Sequence, residues 1–495
     1  MLKKINQGAF WKEGSRIFWI AFSAVFMALV FFLLMYFLYP FREVFEFDPD
    51  EGQNAMISLM INRGYSMYSE IWSDHPPLFP YLLDYWLRIF GYEIHTARIL
   101  VLFFSSMLLA SAYQFLRKAW GTWHAVAGLI LIILLPYYTR LSVSLMIGLP
   151  AIAFAMCALS ALQLWHRKGS SVWLIISGLM LVASLFIKLF TIILVPIFLL
   201  GIYLDERHKQ NQEKWIFFPR SLATWFITTI LAGVVLGLLL IGPRAMVELV
   251  NFYLQAALIN SYLEAAKIYD INWFLSDSLP LLVLAAIGSV FAIIAKNWGS
   301  LYLTAWTILA YLTLLWQIPV WYHHQLLITI PAAMLAGAAI GQSIDTISQL
   351  FRKKGKPIWL VSLAIISMAV LIFSLVARLP ETLLEFSTPD TLLERERLFL
   401  VRSSNHAAET EWFVTDTPMY AFRIKASVPP NLAVFSDKRI LSGGLNEEQI
   451  LAAIATYRPE QVFIGRFNFP AVRDYLQDNY RLLYERGKRS LYLRQ

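Results

Sequence analysis

Apolar residues in this chain neither alternate nor recur as stripes over most of its length; they run on. Eleven stretches with hardly a charge stand out, at about 17–39, 94–116, 121–138, 143–165, 172–187, 189–204, 221–242, 278–295, 300–316, 325–346 and 358–378. Each approaches the roughly 20 residues that cross a bilayer as helix. Backbone polar groups find no water in hydrocarbon, so such runs are expected to be helices packed as a bundle. Lys188 divides 172–204 into two short pieces, and the count of eleven requires both to cross. The first run is followed by Pro40-Phe41-Arg42 rather than a small-residue cleavage site, which predicts an uncleaved span.

Two segments break the pattern. The stretch 40–92 is polar and acidic, with Glu43, Glu46, Asp48, Asp50, Glu51, Glu70, Asp74 and Asp84 against Arg42, Arg63 and Arg88. Within it, Asp50 to Arg63 and Pro76 to Phe90 read as two amphipathic helices, expected to lie in the membrane interface and roof a cavity between the spans. The segment 380–495 carries many charges and shorter apolar runs. Asn446-Glu447-Glu448-Gln449 reads as a capping box opening a helix to about Tyr457. A strand at 461–464, a helix from Pro470 and paired strands near 482–484 and 491–493 complete a small α/β pattern. The expected organisation is therefore an α-helical polytopic membrane domain, 1–379, followed by an α/β domain, 380–495, which reads as a lid or partner surface rather than a second active site.

Composition agrees with this division. The 495 residues are 58% hydrophobic and 15% charged, with a formal net charge of +8 and a mean hydropathy of +0.58. A nucleic-acid binder could share the positive charge, but here the basic residues sit in short loops. Lys3, Lys4, Lys12 and Arg16 precede the first span, and alternation from there gathers Arg117-Lys118, Arg167-Lys168, Arg207, Lys209, Lys214, Arg220, Lys296 and Arg352-Lys353-Lys354 on one side. The positive-inside rule makes that side, and the N-terminus, cytoplasmic in a plasma (inner) membrane, and puts 380–495 outside. Cys157 is the single cysteine, which excludes an internal disulfide and a cysteine-rich metal site.

Candidate chemistry gathers in the outer loops. Asp50-Glu51 follows Pro49 and opens a helix, where backbone N–H groups favour negative charge; a carboxylate there either caps the helix or accepts a proton from an attacking hydroxyl. His75 could pair with a phosphate, face water, or join Asp74 and His324 as ligands if a divalent metal takes part. Arg98, inside the start of the second span, needs a partner or a route to the interface. Lys188 is a phosphate partner by the same logic. His323-His324 follow Tyr322 before the tenth span, forming an aromatic belt or a second set of donors. Arg244, Tyr262 and Lys267, on the loop 243–277, suit a sugar or lipid surface.

Three pieces together carry a resemblance: Asp50-Glu51, then His-Pro-Pro-Leu-Phe-Pro-Tyr at 75–81, then His-Thr-Ala-Arg at 95–98. They resemble the dolichyl-phosphate-mannose protein mannosyltransferase-like superfamily, whose bacterial members include the lipid A aminoarabinose transferases. The likeness in layout covers roughly 17–345. Where the lipid A branch more often has an acidic residue and lysine before the prolines, this chain has Asp74-His75. The resemblance implies a GT-C fold with juxtamembrane helices. It also implies a polyprenyl-phosphate-linked sugar donor, used with inversion on a protein, lipid or glycan acceptor. By the same resemblance Asp50 is the base or acceptor-orienting carboxylate with Glu51 beside it, Asp74 and His75 lie near the phosphate or a metal, and Arg98 lies near the donor phosphate; Lys188 and the stretch from Tyr322 to Pro331 fit looser family features. From their own chemistry Lys188, His323 and His324 join the expected donor-phosphate group, and Tyr81, Arg244, Tyr262, Lys267 and Tyr322 the expected substrate loops. A transporter or flippase of lipid-linked saccharides is the alternative, without the internal repeat such proteins often show.

Overall fold

The computed structural model describes residues 7–210, 219–247, 271–317, 320–352, 356–387, 393–441 and 443–495. Each of the eleven apolar stretches forms a helix, and eight of these among the described residues are long and apolar enough to cross a membrane. The chain begins with α1 (Gln7–Leu38), α2 (Pro49–Asn62), α3 (Leu78–Phe90), α4 (Ile94–Ala119), α5 (Thr122–Ile133) and the short α6 (Tyr138–Leu141). It continues with α7 (Gly148–Lys168), α8 (Ser171–Ile187), a 3₁₀ turn Leu189–Ile193, α9 (Leu194–Gln210) and α10 (Arg220–Leu240). Helices Ile271–Ile294, Trp298–Trp316, Leu326–Phe351 and Ile358–Ser387 complete the bundle. The last of these runs through Pro380, so the domain boundary expected at 380 falls inside a helix.

Uniform apolarity does not distinguish helices buried in protein from helices bathed in lipid; packing does. Gly148–Lys168 and Tyr322–Phe351 are 89% buried along their apolar windows, whereas Ile358–Leu384 is 11% buried. The first two form the centre of the bundle and the last is a lipid-facing wall. Small residues permit the central contacts. A Cβ added to Gly337 would stand 2.4 Å from the Gly128 backbone, so α5 and Leu326–Phe351 touch main chain to main chain at that point.

The acidic loop differs from its expected half-exposed arrangement. On α3, Tyr85, Ile89 and Phe90 remain exposed, as suits an interfacial helix. In α2, by contrast, every residue from Glu51 to Ile61 is buried. Its polar residues have partners: Asn54 donates to the Leu145 carbonyl at 2.9 Å and Gln53 to the Phe435 carbonyl at 3.2 Å. Phe435 belongs to the C-terminal segment, so α2 is covered from above by that segment and from below by the bundle.

The C-terminal segment is the expected α/β unit. Its strands β1 (Phe413–Thr415), β2 (Gln461–Ile464), β3 (Tyr480–Arg486) and β4 (Arg489–Arg494) form one sheet in the order β1-β2-β4-β3. β1 pairs parallel with β2, while β4 runs antiparallel to both β2 and β3. The capping box forms as expected, with Gln449 N–H donating to Asn446 Oδ1 at 2.9 Å and Asn446 N–H to Gln449 Oε1 at 3.1 Å. The apolar run 432–435 is not a strand; it leaves the 3₁₀ turn Pro430–Leu432 as a loop and buries Leu432, Val434 and Phe435. The domain joins the loop through an aromatic cluster, with the Phe45 and Tyr420 rings 4.8 Å apart and those of Tyr420 and Phe463 4.5 Å apart.

Candidate functional site

The site is built at the N-terminus of α2. Asp48 is the N-cap: its Oδ1 accepts from Asp50 N–H at 3.0 Å, and Pro49 supplies a first helical residue without a donor to satisfy. The other Asp48 oxygen accepts from Tyr322 Oη at 2.8 Å, which ties the loop to the His-His turn across the bundle. Capping, one role considered for Asp50, therefore belongs to Asp48. Asp50 keeps a half-buried carboxylate whose Oδ1 accepts a long bond from Gln53 Nε2, 3.4 Å.

Glu51 and Arg98 correct the sequence expectation that one acts in catalysis and the other on a donor phosphate. Both are completely buried, with Arg98 Nη2 and Nε donating to Glu51 Oε2 and Oε1 at 2.7 and 3.1 Å. The remaining capacity is also taken. Arg98 Nη1 donates to the Phe41 and Val44 carbonyls at 2.6 and 2.8 Å, and Glu51 accepts from Phe47 N–H at 2.6 Å and Leu145 N–H at 2.7 Å. A bidentate pair in which four of the five guanidinium N–H groups and both carboxylate oxygens are bonded within the protein holds the chain. Nearby, burial first and then Glu51 and Asp48 hold Glu46 well above the usual carboxylate range.

Around Asp50 the structure does bring several expected residues together. Lys188 stands in the extended break between α8 and the 3₁₀ turn, its ammonium 5.0 Å from the Phe190 ring centroid. Asp74 lies 3.7 Å from His75 Nε2 and 3.1 Å from Lys438 Nζ. His75 is anchored by its main chain, its carbonyl accepting from Tyr68 Oη at 2.7 Å. His323 and His324 are buried with their rings 4.5 Å apart, edge to face. His324 Nδ1 accepts from Trp321 N–H at 3.3 Å, while His323 Nδ1 is buried without a hydrogen-bond partner among the described residues. Lys188 and His75 lie close enough to act electrostatically on both histidines.

The electrostatics follow from this crowding. Burial, then Asp48, push Asp50 up from 3.8 to about 7, against the pull of Lys188. Burial pushes Lys188 down to about 8, opposed by Asp50, Asp74 and Asp48. Burial alone would raise Asp74, but His75 and the Lys438 ammonium overcome it and hold the carboxyl below its usual range. His75 is lowered by burial, Asp74 opposing, with Lys188 and Lys438 adding to the fall. A carboxylate able to take up a proton near neutrality thus has Lys188 and Arg466 as its cationic neighbours, and Lys188 in turn lies near His75, His323 and His324.

Other expectations fare differently. Tyr322 belongs to the site through Asp48, whereas Tyr81 on α3 has Asp84 as its electrostatic neighbour. Arg244, just beyond α10, is exposed. Tyr262 and Lys267 lie outside the described residues. Among the described residues no three His, Cys, Asp or Glu side chains meet as metal donors. Of the candidate set Asp74, His75 and His324, Asp74 has one oxygen 3.1 Å from the Lys438 ammonium and the other 3.7 Å from His75 Nε2.

Four residues escaped sequence reasoning: Asp48, Arg140, Lys438 and Arg466. Arg140 donates to the Phe47 carbonyl and lies 5.8 Å from the Tyr322 ring. The C-terminal domain reaches the site through Lys438 and through Arg466, which bonds Asp437 at 2.8 Å and acts on Asp50. Arg466 is held from beneath, where Asp416 accepts the N–H groups of Gly465, Arg466 and Phe467 at 2.9, 2.7 and 2.9 Å. A loop ordered by a buried carboxylate was not visible as a motif.

The arrangement as a whole, a helical bundle with juxtamembrane helices under a small α/β cap, is the GT-C membrane fold. The family model described as Dolichyl-phosphate-mannose-protein mannosyltransferase matches residues 74–243. ArnT from Cupriavidus metallidurans, bound to undecaprenyl phosphate, superposes with a TM-score of 0.53 at 13% identity, over 95% of this chain and 97% of that one. AglB, the archaeal oligosaccharyltransferase from Archaeoglobus fulgidus, in complex with an inhibitory peptide and a dolichol-phosphate, gives 0.54 at 12% identity, over 90% and 69%. No curated protein matches the chain significantly in sequence. The expected fold class is borne out: the chain has the GT-C membrane fold seen in ArnT and AglB.

Proposed function

We propose that the chain is a glycosyltransferase that moves a sugar from a polyprenyl-phosphate-linked donor to an acceptor hydroxyl at the outer face of the plasma membrane, with inversion and with Asp50 as base. The observation that carries this reading is a cluster around Lys188, which lies near Asp50 and Asp74 on one side and near His75, His323 and His324 on the other. The neighbours of like fold that hold undecaprenyl phosphate and dolichol-phosphate support the donor class.

In this reading the acceptor oxygen attacks the anomeric carbon as the bond from that carbon to the phosphate oxygen breaks. The bonding pair leaves with the polyprenyl phosphate, and Lys188 and the imidazole N–H groups meet its growing charge. Asp50 takes the hydroxyl proton in the same step. A phosphate monoester leaves without a general acid, so one carboxylate is enough, unlike the pair that glycosidases use. Lys438 and Arg466 make the C-terminal domain part of the site. Asp50→Asn, folded as judged by its melting curve, is expected to release no polyprenyl phosphate from a polyprenyl-phosphate sugar. Retained release rules out the base role, and movement of intact donor without release favours a transporter.

A further inference from the structure

Outward from the site, the loop around Glu70 and the helix Glu447–Tyr457 enclose an open groove of about 340 Å³. That volume lies within the roughly 300–1,000 Å³ of small-ligand sites. Its polar lining comes from Glu70, Asn431, Gln449 and Thr456, and its apolar lining from Pro430, Ala452, Ala453 and Tyr457. No lysine, arginine or histidine lines it, so an anion has no counter-charge there.

What lines it instead suits hydroxyl groups. Glu70 Oε2 accepts from Ser66 N–H, leaving Oε1; Gln449 commits its carbonyl to the capping box, leaving its NH₂; Thr456 donates within the helix, leaving its oxygen as acceptor. The groove is therefore lined by both hydrogen-bond donors and acceptors. The lining Tyr457 ring is braced from behind, 4.5 Å from the Trp412 ring, which is itself 6.5 Å from Tyr65. Aromatic faces present apolar surface at low entropic cost while their polar tips stay wet, which suits the C–H faces of sugar rings.

The groove and the site share two segments of chain. Glu70 is four positions before Asp74, and the Asn431 carbonyl accepts from Arg439 at 2.6 Å, beside the Lys438 that pairs with Asp74. We infer that the groove binds a neutral oligosaccharide, the distal sugars of a glycan acceptor whose reacting end lies at Asp50. The assignment of these sugars to an acceptor rests on the transfer reading; binding itself does not.

The test uses the full chain in lipid nanodiscs with mannohexaose, cellohexaose and maltohexaose as probes at millimolar concentration, read by saturation-transfer NMR. Ala452→Trp fills the groove from an exposed helix position, and Tyr457→Ala removes its wall. At least one hexasaccharide is expected to bind the wild type, and each variant to weaken it by about tenfold or more. Donor hydrolysis to polyprenyl phosphate in water is expected to be unchanged. Absence of binding by all three probes, or equal binding by Ala452→Trp, overturns the groove even where donor release is intact. Binding that Ala452→Trp abolishes, in a protein that releases no polyprenyl phosphate, upholds the groove and removes the transfer reading alone.

Discussion

Asp48→Asn isolates the charge that acts on Asp50. Asparagine caps a helix as well as aspartate does, so the bond from Asp50 N–H to Oδ1 survives, and the side-chain amide still has Tyr322 Oη within reach. Only the negative charge leaves. The shift of Asp50 from 3.8 to about 7 is about three units, which at 1.36 kcal/mol each makes ionisation roughly 4 kcal/mol harder than in water, less whatever solvent screening returns to this half-buried group. Burial supplies the largest share and Asp48 the next, so removing that charge is expected to lower the Asp50 carboxyl by about one unit. The assay is kcat/KM for polyprenyl phosphate release against pH. For wild type it rises through about 7, as Asp50 ionises, and falls above about 8, as Lys188 loses its proton. In Asp48→Asn the acid limb moves down by about a unit while the alkaline limb, whose cation also feels Asp48, moves down less. An acid limb that stays in place refutes the assignment of that limb to Asp50. The same shift has a stability sign: a raised carboxyl favours the folded state fully below 3.8, and the contribution is lost as pH rises through about 7. Asp50→Asn is therefore expected to melt higher than wild type at pH 8 and not at pH 3.5.

Two further substitutions probe the supports of the site. Arg98→Ala strands the Glu51 carboxylate among fully buried groups and is expected to cost about 3–5 kcal/mol, read as a large fall in melting temperature; Arg98→Ala melting like wild type in mild detergent contradicts the closed-pair description. At Gly52 an added Cβ would meet Met419 N at 2.6 Å and Glu46 Oε1 at 2.7 Å. Gly52→Ala is therefore expected to cost about 1–3 kcal/mol and to loosen the C-terminal domain, seen as faster proteolysis between the bundle and residue 413; unchanged cleavage rates count against the tight docking.

The spans were legible because hydrocarbon enforces one rule along some 20 residues at a time, and that rule leaves its mark on each apolar helix of the bundle. The capping box at Asn446 was equally local. What sequence could not supply was pairing at a distance. Arg98 looked like a free cation in an apolar run until Glu51, 47 positions away, took both of its forks. Asp50 was legible as a carboxylate near a helix start, but its neighbours Lys188 and Arg466 come from opposite parts of the fold. Lys438 sits in an unremarkable polar stretch, and nothing local tells it from a solvated surface lysine. The burial of α2 was missed for the same reason: its amphipathic pattern could not say that a second domain would cover its polar face.

The Lys438–Asp74 contact spans 364 positions, and that distance has a consequence for biogenesis. During synthesis the aspartates emerge with the earliest segments, while their cationic counterpart is still unmade. A chain released before residue 438 would leave Asp74 with His75 and Lys188 but without the Lys438 ammonium. Translation past residue 438 is what supplies this contact, so a stop before that point removes a partner from a carboxylate made more than three hundred positions earlier.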